Sequence, residues 1–155
     1  MRAIELHRWI ADVAPPPTPG DKVDGIMAGD PETEVIGVAV TWLPNADVLQ
    51  RAVAKKLNFV IAHEPVFYHH PFYYPYGDEY KAPALDLEQK KSTPPGREKL
   101  SLIEEHDLVV YRFHDGWDQF PAYGMGYALA DVLGWSDRKT EDNYIYELAP
   151  VSLSL

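Results

Sequence analysis

At 155 residues, with 46% hydrophobic and 25% charged residues, the chain is long enough for one domain with a real core and ordinary for a soluble globular protein. Its net charge of −10 repels polyphosphate backbones, which argues against nucleic acid as the main partner, but does not oppose divalent cations. The absence of cysteine excludes disulfides, iron–sulfur clusters and thiolate zinc, so any metal must sit on nitrogen and oxygen ligands.

The first thirteen residues carry Glu5, His7, Arg8 and Asp12 and lack the apolar stretch of a signal peptide. Leu6, Trp9, Ile10 and Val13 recur at helical spacing, which predicts a short amphipathic helix ending at Ala14-Pro15-Pro16-Pro17. A polar, glycine-containing connection is expected from Thr18 to Glu34, then a buried strand over Val35 to Val40. Asn45 is placed to cap a helix with Leu49, Val53 and Leu57 on one face. Asn58-Phe59-Val60-Ile61-Ala62 follows as a second strand.

From Tyr68 to Gly96 the chain is rich in Tyr, Pro and charge, with one weak helix over Pro83 to Lys91. A long aromatic insert after a strand suits a lid or a partner surface. Glu98 to His106 reads as a helix and Leu108 to Phe113 as a third strand. A helix over Pro121 to Leu133, with Gly134 past its end, and a last strand over Asn143 to Leu148 complete the pass. No apolar run approaches the ~20 residues that span a bilayer, so a cytoplasmic protein is expected. The alternation predicts an α/β fold, a small mostly parallel sheet flanked by helices, within a single domain over residues 1–155.

In such a sheet ligands bind beyond the carboxyl ends of the strands. Trp42, His63 and His114 all follow strand ends, so the two histidines are expected on one rim. His63-Glu64-Pro65 offers an imidazole and a carboxylate, and His114-Asp115-Gly116-Trp117-Asp118 offers three more groups. Each also has a plainer reading. His63 alone is a hydrogen-bonded loop residue, Glu64 caps the following loop, and Asp115-Gly116 is a common turn. His69 and His70 suit an exposed loop better than a site. His7, on the first helix, and His106, at a helix C-terminus that favours a cation, are not candidates.

Val23-Asp24-Gly25-Ile26-Met27-Ala28-Gly29-Asp30-Pro31, then His63-Glu64-Pro65-Val66-Phe67-Tyr68, then Arg112-Phe113-His114-Asp115, resemble the Nif-three-like family. This is the dinuclear metal-centre hexamer family, often labelled GTP cyclohydrolase I type 2. The resemblance runs from about Lys22 to the end of the chain. It implies a metal site in which His63 binds one divalent ion, Glu64 serves a second, and His114 and Asp118 form a His-x-x-x-Asp element whose carboxylate bridges the two. Most members carry His where this chain has Glu64. A further His and Glu pair, four residues apart in a later half, has no counterpart here, so the likeness is to the family's N-terminal half.

Two functions are therefore expected from different classes. The first is a metal-dependent hydrolase-like centre using one or two ions of zinc, iron or manganese on an unidentified small molecule. The second is a non-catalytic, oligomer-forming scaffold that keeps the fold with an incomplete site. In both, a homo-oligomer is the expected assembly, a hexamer being the form the resemblance implies. A ring around nucleic acid is opposed by the charge.

Overall fold

The computed structural model describes residues 1–14, 23–67, 87–121, 123–140 and 146. Helix α1 (Ala3–Val13) leads to strand β1 (Gly25–Ala28), strand β2 (Val38–Thr41), helix α2 (Ala46–Ala54) and strand β3 (Phe59–Ala62). After them come α3 (Leu87–Ser92), α4 (Pro94–Glu105), β4 (Val109–Arg112), the short α5 (Asp115–Asp118) and α6 (Met125–Val132). A 3₁₀ turn covers Ser136–Arg138.

The four strands form one sheet in the order β1-β4-β3-β2. β2, β3 and β4 run parallel, with Val38 beside Phe59 and Phe59 beside Val109. β1 runs antiparallel to β4, with Gly25 beside Arg112. The α/β fold with a mostly parallel sheet is as the sequence predicts, and β1 is the addition. Gly25-Ile26-Met27-Ala28 has a single β-branched residue and glycines on both flanks, so local pattern reads it as a connection. Its strand character comes from pairing with β4.

The two central strands are buried on both faces, which is why they read as continuous apolar runs rather than alternating ones. Val60 and Val110 face Leu49 and Ala52 of α2 and Ile103 of α4. Phe59, Val109 and Tyr111 face Ala3 and Ile10 of α1. Burying one such side chain contributes roughly 1.5–3 kcal/mol relative to exposure, enough to fix the register of each strand. α1 buries a narrower face than expected: Ile10 is covered, but Trp9 and Val13 are exposed.

Helix ends follow local chemistry. The Asn45 side chain accepts from the Val48 amide at 2.9 Å, as its position predicts. The Thr93 hydroxyl accepts from the Gly96 amide at 3.2 Å and, with Pro94 following, starts α4 earlier than Glu98. α6 starts at Met125, not Pro121, with Gly124 as its N-cap. Gly134 lies past its end at φ 70°, a left-handed value that suits glycine. Of the helix expected over Pro83 to Lys91, the part from Leu87 is seen as α3, and 83–86 lie outside the described residues. The aromatic stretch 68–86 and most of the last expected strand also lie outside them; Tyr146 makes a single bridge to Lys139. Among the described residues no helix is long and apolar enough to cross a membrane.

Tyr111 gives the core an alkaline limit. Burial, and then the charge of Asp24, push its hydroxyl up to about 12. In the unfolded chain a tyrosine ionises near ~10. The folded state thus holds a proton that the unfolded state releases, so stability is whole below pH ~10 and declines as pH rises toward about 12. Tyr111→Phe should flatten that decline in thermal melts taken across this range, whereas an unchanged slope would deny the residue this role.

Candidate metal centre

The parallel register brings the carboxyl ends of β2, β3 and β4 to one edge, and the chain leaves that edge at Trp42, His63 and Phe113-His114. His63 is almost fully buried, 8% exposed, between two rings. Trp42 stacks on it with centroids 3.9 Å apart and planes 11° from parallel. On the other side the His114 ring lies 4.2 Å away, tilted by 42°. The backbone under His63 is held as well: its carbonyl accepts from Nε of the buried Arg112 at 3.1 Å.

Four residues beyond His114, α5 returns Asp118 to the same place. Asp118 Oδ1 is 3.0 Å from His63 Nε2, and Oδ2 is 3.9 Å from His114 Nδ1. One ligand atom from each of His63, His114 and Asp118 can be chosen so that all three lie within 4.8 Å of one another. Two ligands at ~2.0–2.1 Å from a tetrahedral ion sit about 3.3 Å apart; the 3.0 Å between His63 and Asp118 is close to that spacing, and His114 would have to draw in to complete it. The donor set fits a divalent transition metal: imidazole nitrogens and a carboxylate, with no thiolate.

Two details bear on how a cation would be received. An N···O pair at 3.0 Å, as between His63 and Asp118, is held by a shared proton or a shared cation. With the proton on Nε2, the buried Nδ1 of His63 has no hydrogen-bond partner; Glu64 Oε1 is 3.6 Å from it, too long for a hydrogen bond. Leaving a buried polar atom in that state costs about 1–3 kcal/mol. In His114, Nδ1 bonds Asp115 Oδ1 at 2.6 Å, which places the ring's lone pair on Nε2. A carboxylate that fixes a histidine tautomer in this way is the usual support for a metal-ligating imidazole.

The structure thus brings together His63, His114 and Asp118 of the four sequence candidates. Glu64 lies beside His63 on its Nδ1 side, outside the group of three. Asp115, read from sequence as a turn residue, orients His114, and the turn itself is the helix α5. His7 packs on Tyr111 at 5.6 Å within the core, and His106 ends α4, so neither joins the site. His69 and His70 lie outside the described residues. Arg112 and Asp24, which accepts amides of the α5 turn, were not singled out from the sequence. Only the resemblance motifs containing them gave a signal.

Comparisons with known proteins agree with this architecture. The family described as Duf34/NIF3 (NGG1p interacting factor 3) matches residues 1–151. A curated protein of Chlamydia pneumoniae named GTP cyclohydrolase 1 type 2 homolog is 27% identical over 116 residues, which are 75% of this chain and 39% of that protein. Among solved structures, reduced HcgD from Methanocaldococcus jannaschii superposes with a TM-score of 0.66 at 23% identity, covering 92% of this chain and 51% of that one. Staphylococcus aureus protein SA1388 gives 0.61 at 24% identity, covering 86% of this chain and 34% of its own. At these identities the two solved structures speak for the fold. The chain spans about half or less of each relative's length.

Proposed function

The chain belongs to the Duf34/NIF3 family, and on that premise we propose that it is a divalent-metal-binding protein whose centre is of the hydrolase type. The observation that supports this reading is the convergence of His63, His114 and Asp118 at the carboxyl rim of the sheet. His63 and Asp118 would be the principal ligands of a bound ion and His114 the third, and Glu64 would be the group to serve a second ion. A divalent ion held there supplies Lewis acidity toward water and toward a phosphoryl or carbonyl oxygen. The chain's own part is to hold its donors in place. Trp42 shields His63 from solvent, Asp115 sets the His114 tautomer, and Arg112 fixes the His63 backbone.

The test is elemental mass spectrometry of tag-free protein, as purified and after incubation with zinc, manganese or iron. The expected result is one to two ions per chain in at least one condition; no uptake in any of them would sink the reading.

A second reading, a non-catalytic scaffold, is favoured by one surface. Ile36, Val38, Val40 and Trp42 follow one another at every second residue through β2 and the residues flanking it and are all exposed, Val40 at 78%. Their register with Phe59 and Ile61 places Val38 and Val40 on the α1 side of the sheet, on the edge strand. Exposed apolar stripes of this kind mark interfaces. The occupant we infer is a second copy of this chain, because Trp42 joins the stripe to the three-ligand cluster and another protomer can supply the coordination that three groups leave unfilled. Val40→Glu should then lower the mass measured by light scattering, whereas a monomeric wild type would overturn this assembly. Metal uptake without turnover of phosphate esters or amides separates the scaffold from the enzyme.

A further inference from the structure

We infer that Asp24 is the positioning residue of the metal centre: its carboxylate clamps three successive backbone amides of the α5 turn and thereby sets His114 and Asp118 against His63. Oδ1 of Asp24 accepts from the amides of His114 at 2.6 Å and Asp115 at 3.2 Å, and Oδ2 accepts from Gly116 at 2.7 Å. Bonds from amides to an ionised carboxylate are short and strong for hydrogen bonds, and three on one group fix a direction as well as a distance. This inference rests on the metal reading of the same cluster.

The need for such a clamp follows from how α5 is built. The first amides of a helix have no partner within it, and usually the side chain just before the helix accepts from one of them. His114 holds that place and makes no capping bond, because its imidazole is turned to Asp115 and the cluster. The acceptor comes instead from ninety residues earlier in the chain. The antiparallel pairing of Gly25 with Arg112 carries it there, since it sets the residue before β1 beside the residues after β4. The histidine is thereby released from capping and can serve as a ligand.

Gly116 completes the fit. A Cβ at that position would lie 3.0 Å from Asp24 Oδ2, 2.8 Å from the Ala14 carbonyl oxygen and 2.9 Å from Phe113 Cε2. Only glycine lets the turn come so close to the carboxylate. α5 is a single turn, and Asp118 is its last residue. A small rotation about the clamp would carry the Asp118 carboxylate away from His63.

The experiment pairs two readouts on the full chain, wild type beside Asp24→Asn and Asp24→Ala. The first is amide hydrogen exchange in metal-free protein. Slow exchange at His114 and Gly116, at least tenfold faster in the variants, is expected; fast exchange in the wild type would overturn the clamp even if no variant folds. The second is optical titration with cobalt(II) against a competing chelator. Loss of an orienting partner typically weakens a metal about 10–100-fold, and Asp24→Asn should do so with altered cobalt bands while its thermal transition remains cooperative. Wild-type affinity and bands in Asp24→Asn would overturn the inference. A wild type that takes up no cobalt would overturn the metal reading and the positioning role together, whereas slow amides would still establish the clamp as a structural device.

Discussion

His63→Ala and Asp118→Ala are each expected to strip the protein of its metal, with a loss in affinity of at least about a hundredfold. This exceeds the ~10–100-fold typical for orienting partners because each removes a donor atom outright. The two positions are fifty-five residues apart in sequence and 3.0 Å apart in space, so identical loss in both variants is a strong sign of one site. His106→Ala is the matched control. That residue ends α4 in an exposed position and should leave metal content unchanged. A variant of His63 or Asp118 that keeps its metal would remove that residue from the site.

Gly124→Ala should do nearly as much without touching a ligand. A Cβ there would sit 2.2 Å from the Asp118 carbonyl oxygen, 2.7 Å from its carbonyl carbon and 2.8 Å from the Trp117 carbonyl oxygen. No real Cβ tolerates such distances to backbone. The Gly124 amide also donates to the Phe120 carbonyl at 2.7 Å, which ties the start of α6 to the turn behind Asp118. Relief must come from moving α5 or α6, and overpacking of this kind costs about 1–3 kcal/mol. The expected outcome is a lowered melting temperature with metal affinity reduced tenfold or more, read by cobalt(II) titration. An alanine variant with wild-type affinity would show that the α5–α6 corner does not position Asp118.

The parts of this site that were legible in the sequence share a physical basis. Parallel strands joined by helices bring their carboxyl ends together whatever the loops between them, so His63 and His114 could be placed on one rim from the runs before them. The helix caps Asn45 and Gly134 act within a few residues of where they stand, and they too could be read locally. What escaped was long-range. β1 exists because β4 offers it an edge, and nothing in Gly25-Ile26-Met27-Ala28 announces that. Asp24 becomes a cap only once β1 is antiparallel to β4. Asp115 was legible as a residue and not as a partner, because its turn is a helix whose start is held by another segment. Strand order was likewise outside the reach of local pattern, since β4 sits between β1 and β3 although it is the last of the described strands.

The central claim is that His63, His114 and Asp118 share one divalent ion, and X-ray absorption at the metal edge of the loaded protein tests it most directly. The expected result is nitrogen and oxygen scattering from the nearest atoms, at ~2.0–2.1 Å if the ion is zinc, with the more distant pattern of two imidazoles that falls to one in His114→Ala. Oxygen neighbours alone, with no imidazole signature, would mean that the ion sits elsewhere and that the convergence of these three side chains serves another purpose.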